Sequence, residues 1–166
     1  MLEEALRGNG IVRAFPFVKS GQFNTRLAGH TTLVVMTASG APVSDEVKRS
    51  IYTLLEQLVG SQFVYVLDPL YIPFDVGAQV RLLGVASQTA TVAAVRRNLK
   101  DFYRPSRKNF GRDILPSEII TVVESTSGVY RIVSSGEGAI LAEPLADIRL
   151  QPWQLPQLVS VDINVV

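Results

Sequence analysis

With 166 residues, 47% hydrophobic and 19% charged, the chain has material for one globular domain with a real core and an appendage. Its 16 Lys and Arg against 15 Asp and Glu leave a net charge of +1, which does not mark a general nucleic-acid or membrane-surface binder. The lack of cysteine excludes a disulfide framework, a thiolate nucleophile and a Cys-based metal site, and fits a reducing compartment.

Residues 1–30 are the least patterned. Gly8, Gly10, Gly21 and Gly29 interrupt short apolar pieces, so this part is expected to be an arm or linker, with residues 11–17 extended. The start, Met1-Leu2-Glu3-Glu4, has neither the basic n-region nor the apolar core of a secretory signal. From Thr32 to Thr37 the chain is β-branched and apolar between Gly29 and Gly40, which predicts a buried strand. Ser44 is a good N-cap, and Asp45 and Glu46 suit the positive end of a helix dipole. Val47, Ile51, Leu54, Leu55 and Leu58 then form one apolar face, predicting a helix over 44–59 that Gly60 stops.

Residues 62–67, Gln-Phe-Val-Tyr-Val-Leu, read as a second strand, broken by Asp68-Pro69 because proline cannot donate to a ladder. A third strand is expected over 75–85, with Val76, Ala78, Val80 and Leu82 on one face. Val92, Val95, Leu99 and Phe102 line a helix over 89–103, ended by Pro105. Pro116 suits the first turn of a third helix, whose apolar side is Ile119, Ile120 and Val123. Residues 129–133 make a fourth strand, 134–157 are rich in Gly and Pro, and Val159–Val165 alternates apolar with polar. Alternation of that kind predicts a half-buried antiparallel strand. The expected fold class is α+β: a two-layer sandwich over residues 31–166, ferredoxin-like in its split βαβ order, with an extra helix and a closing C-terminal strand. Helices 44–59 and 89–103 are expected on the same side of one sheet.

Catalytic chemistry finds little footing. His30 is the single histidine, flanked by Gly29 and Thr31, with no partner in sequence for general-base work or a metal cluster. The acids fall at helix starts (Asp45, Glu46, Glu118), turns (Asp68, Asp113) or a strand's outer face (Asp162), which are ordinary structural positions. No Gly-x-Ser-x-Gly elbow occurs, and Gly8-Asn9-Gly10 and Ser135-Gly136-Glu137-Gly138 read as turns rather than phosphate loops. No apolar run approaches the roughly 18 residues that mark a membrane span. The chain is therefore expected to be no enzyme, to need no cofactor and no metal, and to cross no membrane.

One cluster stands out. Arg96, Arg97, Lys100, Arg104, Arg107, Lys108 and Arg112 crowd one stretch, opposed within it by Asp101. Arg96, Lys100 and Arg104 share a helical face at i, i+4 and i+8. Three readings stay open: a protein interface, where arginine and aromatics are enriched; a solvated outer face; and a phosphate-contacting stripe over 96–112, with Phe102, Tyr103 and Phe110 stacking on bases.

The order of short motifs resembles the C-terminal region of the baseplate J-like family, which builds the wedges of contractile phage tails and related injection machines. The pieces are Pro42-Val43-Ser44-Asp45, Asp68-Pro69-Leu70-Tyr71-Ile72-Pro73, Phe102-Tyr103-Arg104-Pro105, Phe110-Gly111-Arg112, Ser117-Glu118-Ile119, Gly128-Val129 and Leu155-Pro156-Gln157-Leu158. The likeness covers about residues 30–166. It departs from the family's pattern in lacking the large upstream region and in a longer insert over 134–150, so the chain is expected to be the C-terminal part of a longer architecture or a short member. The resemblance implies a virion-tail or injection-system baseplate part, assembled in a bacterial cytoplasm. It implies pairing with a second copy and with a partner wedge protein, and no catalytic residues. The expected interface residues are Arg97, Tyr103, Arg104, Arg107, Phe110 and Arg112, with the loop 105–113 covered by another subunit.

Overall fold

The structure is a computed structural model that describes residues 11–17, 30–59, 63–108, 110–133, 141–143 and 147–166. The chain divides into two compact units, Met1–Leu70 and Tyr71–Val166. The glycines at 8, 10, 21 and 29, the expected helix stop Gly60 and the turn at 135–138 lie outside the described residues.

In the first unit, strand β1 (Ile11–Phe17) runs antiparallel to β2 (His30–Thr37), in register from Ile11 opposite Thr37 to Phe17 opposite Thr32. Helix α1 (Asp45–Val59) then carries the chain across to β3 (Phe63–Leu67), which pairs parallel with β2. This is a βαβ unit, in which a helix returns the chain so that two strands can run the same way. The strand β2 is buried at every position from Thr32 to Met36, which explains its unbroken apolar run. Leu33, Val35, Val43, Ile51, Leu55 and Val64 make the core of this unit, with Val47 and Val66 packed on it. Ser44 caps α1 through its own carbonyl, which accepts from the Lys48 N–H at 3.0 Å. Asp68 ties the break after β3 to the start of α1: it accepts from the Val43 N–H at 3.1 Å and pairs with Lys48 Nζ at 2.6 Å.

The second unit is built on β4 (Leu70–Leu82), longer than expected because it runs straight through Pro73. It pairs antiparallel with β5 (Val129–Ile132) and with β6 (Leu141–Glu143). Strand β7 (Gln154–Val165) also pairs with it, but not antiparallel as expected: Ser160 meets Asp75 and Val166 meets Val80, so the two strands climb together. The Gln79 carbonyl accepts from Val133 at 2.9 Å and the Val80 carbonyl from Val166 at 3.1 Å. Successive carbonyls of a strand point to opposite sides, so these two bonds use opposite edges of β4. Phe74, Val76, Ala78 and Val80 alternate inward along β4 and meet Val95 and Leu99 of α2 (Gln88–Phe102) and Ile119 and Val123 of α3 (Pro116–Glu124). Val129, Ile132 and Ile163 close the same core.

The α+β class therefore holds, with two small sheets. One expectation is corrected: α1 and α2 do not share one sheet. Helix α1 belongs to the β1–β2–β3 sheet, and α2 packs with α3 and β7 in the second unit. Apolar periodicity marks which face of an element is buried but not which strand pairs with which, and four strands separated by two helices allow one sheet or two. Residues 11–17, read as an extended arm piece, are a paired strand.

Candidate interface on helix α2 and the Phe-Gly-Arg loop

Helix α2 presents two faces. Thr91, Val95 and Leu99 are buried, and Arg96, Arg97 and Lys100 are exposed. A shallow groove runs along the outer face, lined by Ala93, Arg96, Arg97, Asn98, Lys100, Asp101 and Arg104. Arg96 donates from Nε to the Val161 carbonyl at 3.2 Å. Arg104 lies 3.3 Å and Arg107 2.5 Å from the Asp101 carboxylate, so one acid serves two arginines. No intrachain partner is found for Arg97 or Lys100 among the described residues.

After Tyr103 a single 3-10 turn (Pro105–Arg107) leads into the loop. Lys108 is the surprise. Sequence places it among the solvent-facing charges, yet it is 4% exposed. Its ammonium sits 3.3 Å from the Phe102 ring centroid and 4.5 Å from that of Tyr103. It also lies 3.6 Å from Glu118 Oε2. Two aromatic faces and a carboxylate thus surround a cation, the setting in which cation–π attraction is strongest because water is excluded. Burial pushes the Lys108 pKa down, and the Glu118 charge partly offsets it. Glu118 is held on its other side by Arg112. The cage joins residues that sequence spacing does not link: Glu118, ten residues beyond Lys108, reaches it from the first turn of α3.

Tyr103 was expected at an interface, but it is only 3% exposed. Its ring packs edge-on against Phe74 at 4.8 Å and Phe102 at 5.0 Å. It is a core residue in this chain and presents no surface to a partner. The remaining expected residues divide. Arg97, Arg104, Arg107 and Arg112 are exposed, and Phe110 is half-buried.

The loop's shape follows from glycine. Gly111 has φ +67°, and a Cβ there would lie 2.8 Å from the Pro152 Cα. Its N–H donates to the Gln154 carbonyl at 2.9 Å. The Phe-Gly-Arg loop is thus docked on the 151–154 segment, and Asp113 extends the seam by accepting from the Leu150 N–H at 2.7 Å. Gly128 plays the same part elsewhere: at φ +94°, a Cβ would lie 2.5 Å from Thr91 Oγ1 at the start of α2. Both sites call for glycine, because left-handed backbone and close approach coincide.

The Tyr103 hydroxyl is buried with no hydrogen-bond partner. Tyr103→Phe is therefore expected to raise stability at neutral pH by about 1 kcal/mol, since it removes an unpaired buried polar group. Its pH dependence has a definite sign. Burial, with the nearby Glu118 charge, raises the phenol pKa above the ordinary 10.0. The folded state keeps a proton that the unfolded chain releases, so stability falls as pH climbs past about 10. Lys108 acts oppositely: its lowered pKa makes the unfolded chain bind more protons, so stability rises as pH approaches about 10.5. Urea midpoints followed across the alkaline range should show the late fall shrink in Tyr103→Phe while the earlier rise stays. An unchanged fall would mean that the phenol is not the group responsible.

Among the described residues no group of three or more His, Asp or Glu is placed to hold a metal ion, and no helix is long and apolar enough to cross a membrane. The family model for the baseplate J-like protein C-terminal domain matches residues 74–164. No curated protein matches the chain by sequence. Among solved structures, a cryo-EM structure of the anti-feeding prophage baseplate, six-fold symmetrised, superposes with a TM-score of 0.62 at 13% identity. That alignment takes in 96% of this chain and 36% of the other, so the chain spans about a third of that protein's length. At this identity the likeness speaks for the fold.

Proposed function

The chain belongs to the baseplate J-like family, and on that footing we propose that it is a structural part of a contractile-tail or injection-system baseplate, a wedge component that works through contacts with other subunits. The observation that carries this reading is the family match. The two motif glycines support it, because Gly111 and Gly128 each stand where a side chain would collide with backbone or with a helix start. A scaffold part needs a rigid, specified surface more than a cleft, and the outer face of α2 offers a shallow groove lined by charged residues. Its partners are other baseplate subunits, among them a second copy, and its place is the baseplate of the assembled particle. The exposed members of the expected interface, Arg97, Arg104, Arg107, Phe110 and Arg112, remain the proposed contact residues. No catalytic role, metal or cofactor is proposed.

The rival reading is a nucleic-acid module using the stripe over 96–112. The stripe is weakened by its own chain: Arg104 and Arg107 are drawn to Asp101, and Lys108 and Arg112 to Glu118. The test is to express the tagged full chain in particle-producing cells from which the native copy is deleted. Purified particles should contain it at the baseplate, by mass spectrometry and cryo-EM. Normal particles lacking the chain would overturn the assignment.

A further inference from the structure

The outer face of α2 has more positive charge than the described residues around it neutralise. Arg96, Arg97, Lys100 and Arg104 line the groove, with Asp101 the acid among its walls. Asp101 is already engaged by Arg104 and Arg107. The groove is also accessible: Ala93 at one end is a small residue that lets another backbone approach. Arg96 and Lys100 sit one turn apart, about 6 Å along the helix, and Arg104 follows just past the helix end. Carboxylates on consecutive turns of a second helix laid alongside have the same spacing as this pair. Arginine forks add bidentate geometry that suits carboxylates.

We infer that this face of α2 docks an acidic helix of a different protein, one presenting Glu or Asp on consecutive turns. The inference rests on the reading of the chain as an assembly part and adds the chemistry of a partner. A second copy does not fit this groove. No helix among the described residues carries two acids at i, i+4: α1 has Asp45, Glu46 and Glu56, α2 has Asp101, and α3 has Glu118 and Glu124. Nucleic acid fits poorly as well. Four cations over about two helical turns, in a chain of net charge +1, give few phosphate contacts and no long-range basic field.

The experiment uses the full chain and Arg97→Glu/Lys100→Glu, both positions being exposed and without a partner among the described residues, with Arg97→Gln/Lys100→Gln as a neutral companion. The probe is a labelled synthetic helix of about 20 residues with Glu at i, i+4 and i+8, read by fluorescence anisotropy at about 0.15 M salt. Binding should fall at least about tenfold in the Glu variant and less in the Gln variant. A peptide with Lys in place of Glu should bind the Glu variant and not the wild type. Equal binding of the Glu peptide by all three proteins overturns the inference. So does tighter binding of duplex DNA than of the peptide at this salt, or a wild-type dimer on sedimentation that the Glu variant abolishes. Incorporation into particles separates the two levels. If the wild type assembles and the Glu variant assembles equally well, this face is wrong while the baseplate assignment stands. If the wild type never enters particles, the assignment itself fails.

Discussion

Gly111→Ala is expected to destabilise the fold by about 2–4 kcal/mol. Left-handed backbone at φ +67° costs a residue with a Cβ roughly 1–2 kcal/mol. The added carbon would also lie 2.8 Å from the Pro152 Cα. That neighbour is backbone and has no rotamer with which to step aside, so overpacking adds about 1–2 kcal/mol. The hydrogen bond from Gly111 to the Gln154 carbonyl would stretch as the loop backs away. Gly84 provides the control, because a Cβ there meets nothing within 4 Å; Gly84→Ala should stay within about 0.5 kcal/mol of wild type. Denaturant midpoints at constant slope measure both. Equal, negligible effects for the two variants would show that the loop does not lie against the 151–154 segment.

Leu55→Ala should lose about 2–5 kcal/mol, the range for a buried leucine truncated in a packed core. Leu55 is 2% exposed and sits with Leu33, Val35, Ile51 and Val64. On the same helix, Leu58 is 45% exposed and serves as the comparison. Leu58→Ala should cost well under 1 kcal/mol, although both leucines lie on the apolar face read from sequence. A loss at Leu55 below about half a kilocalorie would remove it from the core.

That contrast shows where sequence reading succeeds and where it stops. Element types and positions were legible because they are local: Ser44 before Asp45 and Glu46 marks a helix start, Asp68-Pro69 marks a strand break, and both stand where expected. The closing strand was legible in its alternation, and Ile163 is indeed buried between exposed Asp162 and Asn164. What was hidden is everything set by partners distant in sequence. Nothing near Lys108 says that it is roofed by two rings and a carboxylate, because Glu118 reaches it only once α3 folds back. Tyr103 looked like an anchor for another subunit, but Phe74, 29 positions upstream by residue number, claims its ring. The division into two sheets was equally out of reach, since strand pairing depends on long-range register. The family motifs were legible before their cause. Gly111 and Gly128 are there because Pro152 and Thr91 leave no room for a side chain.

The pairing of β7 with β4 sets a clock for the nascent chain. Asp75 on β4 accepts from the N–H and the hydroxyl of Ser160 on β7, a separation of 85 residues. At about 5–20 residues per second of synthesis, that edge of β4 waits roughly 4–17 seconds for its partner after it is made. Until then it carries unpaired N–H and C=O groups beside an apolar face, the combination that invites pairing with a neighbouring chain. Slowing translation downstream of residue 82 should therefore increase aggregation of the newly made protein.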